Sequence, residues 1–192
     1  MQPTEVLWTA VVGFVIVGTF GFVFSVYNGV VELRNRLGRA WAHLDAALRE
    51  RREAVPALLA LWPTPTEAAQ GVNASLHTAV EAVTITRSLV DRALAERTLG
   101  EAVAHALVVA AVDPSLASDP DFRTLQQRLG TIEQRIQDRR RYHDDLVILY
   151  NSRLAHAPDR WFAQLMHLTP AEPFRSTAVE REKPALELQH TA

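Results

Sequence analysis

The sequence predicts an all-α protein in which an N-terminal single-pass transmembrane helix precedes an up-and-down antiparallel four-helix bundle. Val6 to Val26 contains no charged residue, apolar residues then recur at helical spacing, and prolines separate the apolar periods. No stretch combines strict apolar and polar alternation with turn signals, so nothing favours strands. The 192 residues divide into an N-terminal segment with the span (1–26), a helical body (27–168) and a tail (169–192) expected to be disordered.

Composition and charge narrow the class of function. Lys and Arg number 20 against 22 Asp and Glu, so the net charge is -2 and no basic excess favours binding to nucleic acid. The absence of cysteine excludes disulfides, thiolate catalysis and Cys-ligated zinc, and it fits a reducing compartment. Nucleic acid is therefore not expected as a partner.

The uncharged segment predicts a membrane anchor. About 21 helical residues at 1.5 Å each cover roughly the 30 Å hydrocarbon thickness of a bilayer. A cleaved signal peptide fits less well, because the segment is long, Glu5 precedes it without any Lys or Arg, and no small-residue cleavage site follows. Trp8 and Tyr27 lie where aromatic rings prefer the headgroup level.

The flanks of the span predict its orientation. Only the terminal amine is positive before it, whereas three arginines follow it closely: Arg34, Arg36 and Arg39. The C-terminal domain is therefore expected in the cytoplasm and the N-terminus outside, in the cytoplasmic (inner) membrane. A strip of small residues on one helix face allows either a second transmembrane helix to approach or ordinary glycine usage: Gly18, Gly21, Ser25 and Gly29.

The first helix of the body follows the span directly. Its apolar stripe comprises Leu33, Leu37, Trp41, Leu44, Leu48, Val55, Leu58 and Trp62. Pro63 and Pro65 are expected to end it, and Thr64 with Glu67 forms a capping box that starts helix two near Pro65.

Two further boundaries are predicted from caps. The expected core face of helix two comprises Val72, Leu76, Ala79, Val83, Thr86, Val90 and Leu94. A second capping box, Thr98 with Glu101, is expected to start helix three, which ends at Asp113 and Pro114.

The fourth helix starts at Asp119 and Pro120 and carries a heptad-like, coiled-coil pattern before Pro158 closes it. Four amphipathic helices with short links bury their stripes on one another as a bundle.

Asp159 then caps a short helix to Leu168, whose apolar side comprises Trp161, Phe162, Leu165, Met166 and Leu168. Because the fourth helix returns toward the membrane, this segment is expected at the bilayer surface or, preferably, packed on the membrane-proximal bundle end.

Two blocks of residues carry a resemblance to a known family. The first block comprises Tyr27, Asn28, Val31, Leu33, Arg34, Asn35, Ala40, Trp41, Asp45, Leu48, Arg51, Arg52 and Pro56. The second comprises Pro114, Leu116, Phe122, Leu125, Gln126, Leu129, Glu133, Arg135, Ile136, Arg140, Tyr150 and Asn151. In this order and behind a membrane span, they resemble the LemA family over roughly residues 6 to 174. The resemblance implies a bacterial cytoplasmic-membrane protein with a four-helix cytoplasmic domain and no established enzymatic activity.

Candidate catalytic groups are few. The seven histidines are scattered singly, and none has a second ligand at the spacing of a metal motif. Ser88 with Asp91, and Ser152 with His156, lack the sharp turn that presents a nucleophilic serine. No Gly-rich loop precedes a helix. We therefore expect no enzyme activity, cofactor, metal or small-molecule substrate.

Arginines interrupt two apolar stripes and predict a polar layer. Arg51 or Arg52 falls on the stripe of the first helix and Arg139 or Arg140 on that of the fourth, so a buried guanidinium would need a carboxylate on a facing helix. Counting along antiparallel neighbours brings Asp45 level with Arg140, within about one turn. Arg49, one turn after Asp45, is a second possible partner.

The same count predicts a second layer nearer the membrane, an amide pair of Asn35 with Asn151. Such layers penalise slips of register, and solvated charges on outer faces are the alternative.

The expected function is that of a membrane-anchored helical scaffold or interaction protein, bound to the bilayer and to other membrane proteins or itself. One alternative is a regulatory subunit of a membrane protease or transporter, which would have a single defined partner. The other is a hydrolase with an unrecognised site, which would need a cleft with convergent polar residues and a strongly perturbed ionisable group.

Overall fold

Helices make up most of the described residues, which are 3–62 and 67–175 of this computed structural model. In chain order they are α1 (Pro3–Leu59), α2 (Glu67–Ile85), α3 (Leu89–Val112), α4 (Pro114–Ala117), α5 (Pro120–Ala155) and α6 (Asp159–Leu165). No strand occurs within these two ranges. The all-α prediction is confirmed.

The predicted span and the first helix of the body form one continuous helix, α1. It ends at Leu59, earlier than predicted, in the turn that follows Pro56. Pro56 cannot donate a backbone hydrogen bond, and the turn after it closes with the Leu61 amide donating to the Leu58 carbonyl at 3.3 Å. The predicted stop and cap at 63–66 lie outside the described residues.

The predicted boundary between helices two and three is wrong. α2 ends at Ile85 and α3 begins at Leu89, so Thr98 lies inside α3, where its hydroxyl donates to the Leu94 carbonyl at 3.2 Å. The cap is Ser88, whose Oγ accepts from the Asp91 amide at 3.0 Å and donates to the Asp91 carboxylate at 2.6 Å. Ser88 also has the extended backbone of an N-cap, so α3 begins after Ser88 rather than at Thr98.

The predicted boundaries at Asp113 and Asp119 agree with the helices. The carboxylate of Asp113 accepts from the Ser115 amide at 2.9 Å and starts α4, directly after α3 ends. Asp119 accepts from the Asp121 amide at 2.9 Å at the start of α5. At α6 the N-cap is Pro158, without a side-chain cap bond, and Asp159 is in the first turn.

By its internal contacts the chain forms two compact units. Unit 1 comprises residues 1–39 and 145–171, and unit 2 comprises residues 40–144 and 172–192. α1 and α5 each contribute one part to unit 1 and another to unit 2.

Unit 2 has a hydrophobic core to which α1, α2, α3 and α5 all contribute. The buried side chains are Ala54, Val55, Leu58, Val72, Leu76, Ala79, Val83, Ala95, Leu99, Val103, Ala106, Leu125 and Leu129. Within this unit α1 and α5 run antiparallel, because Arg139 donates to the His43 carbonyl at 2.7 Å and Arg51 to Glu133 at 3.0 Å. Partner numbers on α5 therefore fall as those on α1 rise.

Unit 1 contains the apolar part of α1 and the whole of α6. Among the described residues, one helix is long and apolar enough to cross a membrane, with a mean hydropathy of 2.2 in its most apolar window. α6 lies beside the last turns of the predicted span, since both line one groove. Ala163 of α6 is buried, whereas Trp161 and Leu165 are exposed.

Two predictions about polar groups and the tail are wrong. The Asn151 side chain donates to the Ala171 carbonyl and accepts from the Ala171 amide, each at 2.9 Å, while Asn35 is exposed. The predicted amide pair of Asn35 with Asn151 is therefore absent. Because Asn151 binds Ala171 and Phe174 is 4 % exposed, residues 171–175 are ordered, contrary to the expected disorder. Residues 176–192 lie outside the described ranges.

The reassigned cap can be tested by a matched pair of substitutions. We expect Ser88→Ala to lower the free energy of unfolding by about 1 kcal/mol, because the Asp91 amide loses its acceptor. Thr98→Ala, inside the same helix, is expected to change it by less than about 0.5 kcal/mol. Urea unfolding of the full chain in detergent, followed by circular dichroism, measures both. A larger loss for Thr98→Ala would contradict the boundary.

Candidate functional site

A buried ion cluster lies between three helices of unit 2. Arg51 of α1 is only 3 % exposed, and its Nη2 donates to the Glu96 carboxylate at 2.7 Å and to the Glu96 backbone carbonyl at 2.6 Å. Its Nη1 donates to Glu133 of α5 at 3.0 Å. Glu96 lies on α3, so this guanidinium joins α1, α3 and α5. The sequence predicts that a buried arginine needs a carboxylate on a facing helix. Arg51 has two such partners, Glu96 and Glu133.

The neighbours of Arg51 complete the cluster. The Nη1 atom of Arg52, the other candidate, lies 3.7 Å from the Glu96 carboxylate, and this arginine is partly exposed. Gly100 leaves the space that Arg51 fills, since a Cβ at Gly100 would lie 2.7 Å from Arg51 Nη1. Two cations and two anions balance the charge, which lowers the cost of burying them. Among the described residues, Arg51 Nε and one Glu96 oxygen have no hydrogen-bond partner.

The cluster forms one wall of a cleft of about 410 Å³. Leu48, Ala93, Ile136 and Phe174 contribute apolar walls, and Arg140 lines the cleft as well. The cleft does hold convergent polar groups, as the hydrolase hypothesis requires. However, the Arg51 guanidinium already serves two carboxylates and a carbonyl, so its arrangement is that of a structural link between helices.

Asp45 is buried, but Arg140 is not its partner. Its carboxylate accepts from Arg49 on its own helix at 2.8 Å and is paired with Arg92 of α3. The predicted pair of Asp45 with Arg140 is wrong, whereas the contact of Asp45 with Arg49, the second predicted partner, is confirmed. Counting residues along the helices placed Arg140 at about the axial height of Asp45, since the neighbouring Arg139 donates to the His43 carbonyl. The count does not give the rotation of α1 about its axis, and this rotation directs Asp45 toward α3.

The two arginines determine the charge state of Asp45. Burial raises the pKa of this carboxyl, but the hydrogen bonds and charges of Arg49 and Arg92 outweigh it and hold the pKa below its ordinary value of 3.8. The Arg92 guanidinium also lies 5.4 Å from the centre of the Trp41 ring, within cation–π range. Asp45 therefore holds the Arg92 guanidinium in the position where it contacts the Trp41 ring.

Trp41 is the centre of an aromatic contact that the sequence did not reveal. Its ring centre lies 5.6 Å from that of His143 and 5.5 Å from that of Phe174. Asp144 accepts from the Phe174 backbone amide at 2.8 Å and lies 3.2 Å from His143 Nδ1. The start of the tail therefore packs within unit 2 through the buried ring of Phe174 and through the Phe174 amide, which donates to Asp144. Phe174, an isolated aromatic residue among prolines and charges, was the only signal for it.

The other candidate groups have structural partners. The hydroxyl of Ser88 caps α3, and His156 Nδ1 lies 2.7 Å from the backbone carbonyl of Ser152. In the described part of the chain, no group of three or more His, Cys, Asp or Glu could hold a metal ion.

The glycine strip of unit 1 is only partly open. A Cβ at Gly18 or Gly21 would meet nothing within 4 Å, and Ser25 is exposed. A Cβ at Gly29, by contrast, would lie 2.8 Å from Arg153 Nη1. Gly29 therefore accommodates an arginine of its own chain.

Comparison with known proteins identifies the family. The model of the LemA family matches residues 40–188, which is well over half of the 192-residue chain. The chain belongs to the LemA family. No curated protein matches it. The match covers the cluster of Arg51, Glu96 and Glu133 and the contacts of Trp41, so these features lie within the region that the family model describes.

Breaking the buried cluster is expected to destabilise this member of the LemA family strongly. Arg51→Met removes the cation that is hydrogen-bonded to the buried Glu96 carboxylate and leaves it only Arg52, at 3.7 Å, so we expect a loss of about 3 kcal/mol in the free energy of unfolding. Arg97→Met removes an exposed pair with Glu101 and should cost less than about 1 kcal/mol. Adding Glu96→Leu to Arg51→Met is expected to recover part of the loss. Urea unfolding measures all three, and a cost for Arg51→Met below about 1 kcal/mol would contradict the burial.

The lowered pKa of Asp45 predicts a dependence of stability on pH. Because the folded pKa lies below 3.8, the ionised group stabilises the fold above pH 3.8, and that contribution is lost as pH falls through the folded pKa. We expect Asp45→Asn to be less stable than the wild type at neutral pH and the difference to shrink below about pH 3.8. The control, Asp138→Asn on the exposed face of α5, should differ by less than about 0.5 kcal/mol at neutral pH. A constant difference for Asp45→Asn over this pH range would contradict the prediction.

Proposed function

We propose that this protein is a membrane-anchored helical scaffold, whose N-terminal helix spans the cytoplasmic (inner) membrane and whose body binds other membrane proteins or itself. The observation that carries the proposal is the exposed surface of α1. Large apolar side chains point outward around the helix, among them Trp8 at 69 %, Phe14 at 80 % and Phe20 at 73 % exposed. A helix that is apolar all round is either buried in a protein core or spans a membrane, and the exposure of these side chains favours the span.

The energy of this surface favours the bilayer. Moving one such side chain from water to an apolar environment is worth about 1.5–3 kcal/mol, and the segment carries a series of them. Arg34, Arg36 and Arg39 follow the segment, which supports a cytoplasmic body and an external N-terminus.

The body is proposed to be an up-and-down four-helix bundle. Support comes from the shared core of α1, α2, α3 and α5 in unit 2 and from the antiparallel pairing of α1 with α5 there. Binding is favoured over catalysis because Arg51, Glu96 and Glu133, which line the cleft, pair three helices with one another. The scaffold needs no cofactor.

A pair of double substitutions tests the anchor. Each arginine placed in the centre of a spanning helix costs about 2.5–3.5 kcal/mol of insertion energy. We expect Val15→Arg with Ile16→Arg to release the protein from membranes washed with alkaline carbonate, whereas the wild type stays. Leu94→Arg with Val112→Arg, at exposed apolar positions of α3, is the control and should leave the protein bound. Wild-type protein released by the wash would refute the anchor.

Reporter fusions test the orientation, with a C-terminal reporter expected to be active only in the cytoplasm. Crosslinking in membranes then tests the role of the body: many partners or self-contacts support a scaffold, and one stoichiometric partner indicates a regulatory subunit.

A further inference from the structure

We propose that α6 is a second membrane contact, whose apolar face lies at the boundary between acyl chains and headgroups in the leaflet where the span of α1 ends. This inference rests on the proposed span of α1 and adds a lipid-binding surface outside it. The surface lies wholly within unit 1 and comprises Trp161, Phe162, Leu165 and Met166 of the α6 region with Phe20, Val23, Phe24 and Tyr27 of α1.

The first observation is an apolar groove between the two helices. Every side chain that lines it is aliphatic, aromatic or methionine: Phe20, Val23, Phe24, Tyr27, Phe162, Leu165 and Met166. The α6 side of the groove is open, since Leu165 is 76 % exposed, and Trp161 beside it is 66 % exposed. The opposite side of α6 is anchored, because Ala163 is buried. α6 thus has an inner side packed on the protein and an apolar side that the described residues leave uncovered.

The second observation is depth. With the span over residues 6–26, the bilayer centre lies near Ile16, and a rise of 1.5 Å per residue places Phe20 about 6 Å and Tyr27 about 16 Å from it. The hydrocarbon region ends about 15 Å from the centre. The groove therefore occupies the outer part of one leaflet, the depth at which interfacial helices bury their apolar faces.

The third observation is continuity with the exposed surface of α1. Phe20 and Phe24 belong both to the groove and to the apolar segment that faces outward, so no polar border separates the two. Any occupant of the groove at the depth of Phe20 must itself lie in hydrocarbon. Lipid acyl chains meet this condition directly, whereas a second copy or another protein would have to bring a membrane segment.

The polar residues around α6 fit the headgroup level. Arg160 and Gln164 of α6 are exposed. Asp159 lies 3.6 Å from Arg153, so the nearest acid of α6 already has a cation. The exposed Arg160 at this level favours a leaflet that contains anionic lipid.

Site-directed spin labelling tests the proposal, and the absence of cysteine from the chain makes single labels specific. The full-length protein carries one label at Leu165→Cys, Phe22→Cys or Leu94→Cys, in nanodiscs of phosphatidylcholine with a minority of phosphatidylglycerol. Phe22 is an exposed residue of the span outside the groove, and Leu94 is an exposed residue of α3. Collision rates with oxygen report lipid, and those with a water-soluble nickel chelate report water.

We expect the Leu165 label to collide more with oxygen than with nickel, at a depth within about 5 Å, one helical turn, of the Phe22 label. The Leu94 label should collide more with nickel. Trp161→Cys, an exposed site on the same face, provides an independent second label if Leu165→Cys does not fold.

Each other outcome has a distinct meaning. A lipid-exposed Phe22 label with a water-exposed Leu165 label would overturn this inference and leave the anchor intact. A Leu165 label shielded from both reagents would overturn it in favour of a second copy or another protein on the face. A water-exposed Phe22 label would refute the proposed span itself.

Discussion

A guanidinium removed from water has to be matched by anions at fixed positions, and Arg51 imposes this requirement on three helices of unit 2. Glu96 on α3 and Glu133 on α5 must both face the same point of α1, which fixes the height and the rotation of each helix. Gly100 follows from the same requirement, since any larger residue would overlap the guanidinium. An all-leucine layer would tolerate a slip by one turn, whereas this layer would leave a charge unpaired.

The apolar periods predicted the helical fold because helix formation here depends on local spacing and on caps. Asp113 and Asp119 were recognised because each precedes a proline, a signal that is complete in two residues. Ser88 was missed because its partner is Asp91, whereas Thr98 with Glu101 matched the commoner capping pattern. The geometry of the Ser88 backbone, which the sequence does not give, decided between the two.

The polar layer was only partly predictable for a related reason. The interruption of the stripe identified Arg51 as a residue in need of a carboxylate, but the sequence offered many acids and no distances. Counting residues along antiparallel helices gives axial height, and it placed Arg140 near Asp45. Rotation about the helix axis depends on how all the side chains pack, and it directs Asp45 to Arg92 on α3. Contacts such as Asn151 with Ala171 depend on the path of an irregular segment and leave no periodic signal.

Polar and apolar residues therefore have different roles in the two units. In unit 2 Arg51, Glu96 and Glu133 are paired with one another across three helices, so their interaction favours one arrangement of these helices. In unit 1 the large apolar side chains of α1 and α6 are exposed rather than packed, although a water-soluble domain would bury side chains such as Phe14, Phe20 and Leu165. Exposure on this scale is stable only if another phase covers it. In the proposed arrangement a continuous hydrocarbon phase would cover α1 and α6 together, so one bilayer accounts for both surfaces more simply than two separate protein partners.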